Sequence, residues 1–139
     1  MAGYRLERTL SLPIEAAWKL LGNFRQSPIA GMELVVEKAG DEKNHDVGLI
    51  RRVTIGHMTV REVIEAVEPQ HLIRYRVLSG APLRDYVGTV RLHADGNRTR
   101  IEWTATMKPA IPLTGFLTAR ISRNVVAGIL DRFEAQHAR

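Results

Sequence analysis

Residues 46–107 read DVGLIRRVTIGHMTVREVIEAVEPQHLIRYRVLSGAPLRDYVGTVRLHADGNRTRIEWTATM, with apolar and polar side chains alternating along most of the run. A period of two is that of strands with one buried and one wet face. The alternation is interrupted at Gly56, Pro69-Gln70, Gly80-Ala81-Pro82 and Gly96-Asn97, all residues that favour turns. The stretch therefore predicts an antiparallel meander. A tight turn at Ile55-Gly56 sets Val53 against Met58, Arg51 against Val60 and Leu49 against Glu62. A turn at Pro69-Gln70 sets Ala66, Ile64 and Glu62 against Ile73, Tyr75 and Val77, on that same face. The next strand carries Tyr86, Gly88, Val90 and Leu92 inward. A hairpin around Ala94-Asp95-Gly96-Asn97 then sets Val90 opposite Ile101 and Gly88 opposite Trp103, where a glycine leaves room for the indole. On the outer face Glu65 meets Arg74, and Arg52, Thr59, Arg61, Arg76, Arg91, Arg100 and Glu102 make that surface mostly charged.

The flanks complete the design. Tyr4 to Leu10 alternates as an opening strand. Pro13 suits the first position of a helix, where an absent N–H leaves nothing unpaired. Ile14, Trp18 and Leu21 follow at helical spacing, and Gly22-Asn23 is a stop. Gln26 to Gly31 has room for a turn or one helical turn, Met32 to Lys38 reads as a second strand, and Ala39 to Asp46 as an exposed loop. Beyond Pro109 and Pro112, Leu117, Ile121, Val125, Ile129 and Phe133 recur at steps of four, the stripe of an amphipathic helix. A curved sheet closed by one such helix tends to enclose a hollow.

At 139 residues the chain suits one domain, spanning 1–139. The absence of cysteine excludes disulfides and thiolate metal sites. His45, His57, His71, His93 and His137 lack paired ligand spacing, and neither a Gly-x-Ser-x-Gly elbow nor a phosphate-binding glycine loop occurs, so no metal and no cofactor is expected. The net charge is +5, but the basic residues are dispersed, without runs or interleaved aromatics, so no nucleic-acid partner is expected. With no apolar run at the N-terminus or long enough to span a bilayer, the expectation is no membrane insertion and a cytoplasmic monomer or homodimer.

A wider pattern now stands out. Pro13 with Trp18, Val47-Gly48-Leu49-Ile50-Arg51, Val60-Arg61-Glu62, Glu68-Pro69, Tyr75 through Pro82, Arg84-Asp85-Tyr86, Thr99-Arg100-Ile101-Glu102-Trp103 and the terminal helix resemble the polyketide cyclase/dehydrase branch of the START-related (SRPBCC) superfamily. The resemblance covers essentially the whole chain. It implies an α+β helix-grip, Bet v 1-like fold: a seven-stranded curved antiparallel sheet wrapped around a long C-terminal helix, with two short helices after the first strand. It also implies binding of apolar or aromatic small molecules, lipid- or polyketide-like. Some members cyclise or aromatise such chains, some carry or sense them, and some relatives bind a chaperone. No family motif marks a catalytic residue here.

The ligand-binding candidates are Arg51, Met58, Glu62, Tyr75, Tyr86, Trp103, Met107 and Phe116. Arg51 and Glu62 share the inward face on a diagonal. A lone charge in an apolar hollow would cost several kcal/mol, so they are expected to pair, either to hold the sheet in register or to orient a ligand's carboxylate, carbonyl or hydroxyl. Tyr75 and Tyr86 are core residues with satisfied hydroxyls, or else donors and acids for a ligand. Trp103, Met58, Met107 and Phe116 would supply an adaptable apolar wall, and equally suit a core. Asp85 points outward by alternation and is a poor base. Gly80-Ala81-Pro82 and the segment from Pro112 to Gly115 would lie at the mouth. The expected function is binding of a small hydrophobic molecule as carrier or sensor, with a polyketide cyclase/aromatase as the enzyme alternative and a protein-interaction module as the third. The charged outer face argues against the last.

Overall fold

The computed structural model describes residues 2–80, 83–109 and 115–137. The strands are β1 (Ala2–Leu10), β2 (Met32–Lys38), β3 (Ile50–Ile55), β4 (Met58–Glu68), β5 (Leu72–Ser79), β6 (Leu83–Asp95) and β7 (Arg98–Pro109), with helices α1 (Ile14–Leu21) and α2 (Gly115–His137). They form one antiparallel sheet in the order β1-β7-β6-β5-β4-β3-β2. The central alternating run is the meander β3 to β7, β1 closes one side against β7, and β2 pairs with β3 at the other.

One α-helix follows β1 among the described residues, where two were expected. Pro13 is its N-cap, with φ −65° and ψ 156°, rather than its first helical residue. From Asn23 to Gly31 the chain runs through turns: Pro28 has no N–H to give, Ser27 Oγ bonds the backbone of Ile29, and Gly31 takes φ +84°. A three-residue 3₁₀ turn, Glu42–Asn44, interrupts the loop before β3.

Two hairpin registers differ from expectation for one shared reason. The turns are Gly56-His57 and Gly96-Asn97, each with glycine first at φ +60°, the type II′ arrangement. The expected turns were centred one residue earlier, with glycine second. Pairing therefore moves by two residues: Arg51 faces Glu62, Val53 faces Val60, Val90 faces Trp103 and Leu92 faces Ile101. A slip of two leaves every side chain on its face. At the Pro69-Gln70 turn, Ile64 meets Tyr75 and Glu62 meets Val77 as expected, but a bulge at Glu65 then places Ala66 opposite Arg74 and Val67 opposite Ile73. Glu65 still receives arginine, with Arg76 Nε at 3.2 Å and Arg74 Nε at 3.6 Å. Similar pairs, such as Arg61 with Glu37 at 2.6 Å, lace the outer face and contribute about 0.2–1 kcal/mol each.

The stripe on α2 also differs. Residues four apart advance about 40° beyond a full turn, so Leu117 and Phe133 lie roughly 160° apart around the axis. Leu117 and Ile121 are 49% and 57% exposed, whereas the buried seam is Ala119, Val126, Leu130 and Phe133. That seam meets Leu6 and Leu10 of β1 together with Leu92 and Ile101 in the core. Polar pins hold the far end of α2: Asp131 to Arg8 at 2.7 Å, and Gln136 Oε1 accepting from Ala30 N–H at 3.0 Å. With the C-terminal half of α2 anchored in this way, the hollow lies beside its N-terminal half.

Candidate functional site

Between the concave sheet and α2 lies a cavity of about 240 Å³, near the small end of ligand pockets, which run roughly 300–1,000 Å³. Its wall includes Arg51, Glu62, Tyr75, Tyr86 and Trp103, drawn from β3, β4, β5, β6 and β7 in succession. Val53, Met58, Val90, Val125 and Ile129 supply apolar wall, and the exposed Ile121 brings the cavity to solvent.

Arg51 and Glu62 face each other directly, rather than diagonally, across β3 and β4. Nε and Nη2 of Arg51 each lie 2.7 Å from the same oxygen, Glu62 Oε1, and Nη1 donates to the Phe24 carbonyl at 3.3 Å. The guanidinium carbon stands 5.7 Å from the centre of the Phe24 ring, a cation–π contact. Glu62 is only 7% exposed, so the pair sits largely out of water. Phe24 was not among the sequence candidates. It lies in the aperiodic stretch after α1, where no pattern reveals which way a side chain points.

The aromatic side of the site depends on Gly88. Its neighbours in register are Tyr75 on β5 and Ala105 on β7, not Trp103 as expected. The vacancy is filled by the phenol ring of Tyr75: a Cβ on Gly88 would lie 2.3 Å from Tyr75 Cζ and 2.5 Å from its hydroxyl oxygen. Lying there, Tyr75 accepts a hydrogen bond from Trp103 Nε1 at 3.1 Å and stands 3.5 Å from the Tyr86 hydroxyl. Tyr75 and Trp103 meet edge to face, with centroids 6.1 Å apart at 84°. Tyr86 is bonded in turn to the hydroxyl of Tyr4. Alternation turns Tyr4 inward, but its meeting with Tyr86 requires the pairing of β1 with β7, which no turn in the sequence specifies.

Burial raises the pKa of all the phenols in this cluster: for Tyr4 and Tyr75 it acts first and the neighbouring Tyr86 adds to it, while for Tyr86 the bonds to Tyr4 and Tyr75 partly offset it. They are protonated at neutral pH and remain able to donate. Gly88→Ala is expected to evict the Tyr75 ring at a cost of about 1–3 kcal/mol. In a Tyr75→Ala background the same change should cost almost nothing. Equal costs in the two backgrounds, by urea denaturation, would show that the ring does not depend on the glycine.

The remaining candidates are placed as follows. Met107 is 0% exposed and sits in the core, its sulfur 3.9 Å from Ser122 Oγ, and does not line the cavity. Alternation correctly turned it inward but cannot tell core from cavity wall. The side chain of Phe116 lies outside the described residues, as do Ala81, Pro82 and residues 112–114 of the expected mouth. Asp85 is exposed at φ +53°, with Lys108 Nζ 3.6 Å away. Among the described residues no His, Asp and Glu side chains cluster as a metal site would require, and no helix is long and apolar enough to cross a membrane.

A family model described as polyketide cyclase/dehydrase and lipid transport matches residues 1–137. No curated protein matches the chain. Among solved structures, XoxI from Bacillus cereus superposes with a TM-score of 0.77 at 16% identity, covering 98% of this chain and 95% of that one. A protein from Thermus thermophilus gives 0.69 at 22% identity, covering 96% and 94%. Norcoclaurine synthase from Thalictrum flavum, in complex with dopamine and hydroxybenzaldehyde, gives 0.72 at 15% identity, covering 96% and 84%. Likeness at such identities speaks to the fold alone.

Proposed function

This chain belongs to the polyketide cyclase/dehydrase and lipid transport family, with a Bet v 1-like helix-grip fold, and on that premise we propose that it binds a small apolar or aromatic molecule in the cavity beneath α2. The observation that carries the proposal is the make-up of the cavity wall, mostly apolar with a few polar side chains. Val53, Val90, Val125 and Ile129 supply apolar surface suited to a hydrocarbon or ring, and Arg51, Glu62, Tyr75 and Tyr86 set polar groups among them. A few placed polar groups in an otherwise apolar pocket orient a ligand without demanding that it be polar throughout. Met58 and Trp103 complete the wall. The role is that of a carrier or sensor.

One observation favours a second reading, cyclisation or aromatisation of a polyketide-like chain. Trp103 N–H can only donate, so the Tyr75 hydroxyl gives its own proton to the Tyr86 oxygen 3.5 Å away or to a ligand in its place, which suits a general acid. Glu62 is the only carboxylate on the cavity wall among the described residues, and its pairing with Arg51 weakens it as a base.

Val125→Trp, which fills the cavity from α2, tests the binding proposal. Small aromatic probes, followed by calorimetry and by quenching of Trp103 in the unmodified protein, are expected to bind the parent. The variant should bind them more than about tenfold more weakly while unfolding at a similar temperature. Unchanged affinity in a folded variant would place binding elsewhere.

A further inference from the structure

We infer that the cavity selects a neutral ligand carrying a hydroxyl, a phenol or alcohol, and rejects a carboxylate of the same shape; this rests on the binding function proposed above. An arginine in an apolar pocket ordinarily suggests an acid as ligand. Here Arg51 is the only cationic side chain on the cavity wall among the described residues, and its charge is already met by Glu62. Two of its nitrogens converge on Oε1 and the third holds the Phe24 carbonyl. A ligand carboxylate brought to this guanidinium would stand at contact distance from a second carboxylate. It would leave water for a site whose net charge is zero, where an unpaired charge is strongly disfavoured.

Glu62 and the tyrosines suit a hydroxyl. Among the described residues no hydrogen bond reaches Glu62 Oε2, which leaves a charged acceptor. Ile64 pairs with Tyr75 and Glu62 with Val77, so Glu62 and Tyr75 are diagonal neighbours on the inward face, and both line the cavity with Tyr86. Trp103 is itself a donor and takes no proton, and the contacts of Tyr86 with Tyr75 and with Tyr4 use two of the three phenolic protons, which leaves one to donate. A ligand hydroxyl can donate to Glu62 Oε2 and accept from a tyrosine. A carboxylate has nothing to donate, and it repels the carboxylate of Glu62.

The experiment compares 2-naphthol with 2-naphthoate at neutral pH by calorimetry, on the parent protein and on Glu62→Gln, which keeps an amide oxygen for Arg51 but removes the negative charge. The parent is expected to bind the naphthol at least about tenfold more tightly, and Glu62→Gln to reverse that order. If Glu62→Gln does not fold, the double variant Arg51→Met/Glu62→Leu takes its place and should bind naphthol more weakly than the parent. Naphthoate binding the parent as tightly as naphthol, or a naphthol preference unmoved by removing the Glu62 charge, would overturn the inference alone. Failure of both probes to bind the parent would overturn the binding function and this inference with it.

Discussion

Arg51→Met and Glu62→Leu are each expected to destabilise the protein by about 2–4 kcal/mol, and the double variant by far less than their sum. Each single change strands a charge that is mostly out of water, since the two side chains are 15% and 9% exposed. Partial opening of the cavity to solvent keeps the loss below that of a fully sealed pair. The singles should also differ. Glu62→Leu leaves Arg51 with the Phe24 carbonyl and ring, whereas Arg51→Met leaves the carboxylate with no cation on the cavity wall among the described residues. Arg51→Met is therefore expected to be the more damaging. In the double variant both charges are gone and two apolar side chains face each other across β3 and β4, a change that elsewhere is neutral or stabilising. Urea denaturation of the four proteins closes the cycle. Additive single effects near zero would show that the pair is solvated and holds nothing in register.

The contact behind this cycle was only half legible in the sequence. Strand alternation assigns Arg51, Glu62, Tyr75, Tyr86 and Trp103 to one face, and the structure brings them to one cavity. Their exact partners were not readable, because X-Gly and Gly-X turns are both good hairpin chemistry and differ by one residue in centre. That ambiguity moved Arg51 from opposite Val60 to opposite Glu62, and Trp103 from opposite Gly88 to opposite Val90. The bulge at Glu65 left no signal at all, since an extra residue in a strand changes neither composition nor turn chemistry. On α2 a string of apolar residues at steps of four looks like a single seam, yet the helix turns under it. Leu130 and Phe133 face the core, and Ile121 and Val125 face the cavity. Contacts made by irregular backbone, such as Phe24 with Arg51, were beyond any periodicity. The chemistry of the cavity therefore depends on positions that a pattern can place on a face but not in contact.

Alkali is expected to unfold this protein through its tyrosines. The chain holds three tyrosines, and all of them, Tyr4, Tyr75 and Tyr86, meet in the one buried cluster. Each has its pKa raised in the folded protein, chiefly by desolvation, above the ordinary value near 10. Below that value both folded and unfolded chains keep the phenolic protons, and their contribution to stability is complete. Above it the unfolded chain releases protons that the folded chain retains, so stability falls as pH rises, by about 1.4 kcal/mol per pH unit for each tyrosine. Tyr4 and Tyr75, the two held furthest above the ordinary value, together remove about 2.8 kcal/mol per unit, enough to exhaust a typical stability of 5–15 kcal/mol within roughly two to five units, and Tyr86 adds to this until it ionises. Tyrosinate absorbance should therefore stay flat past the usual titration range and then rise for all the phenols together, as circular dichroism reports loss of the sheet. Lysines and arginines also titrate in alkali, so the discriminating comparison is Tyr4→Phe, which should flatten the fall of stability with pH by about 1.4 kcal/mol per unit. A phenol that ionises near its ordinary value while the sheet persists would mean that water reaches the cluster, and the cavity would then lack the dry, proton-retaining donors on which its preference for a hydroxyl depends.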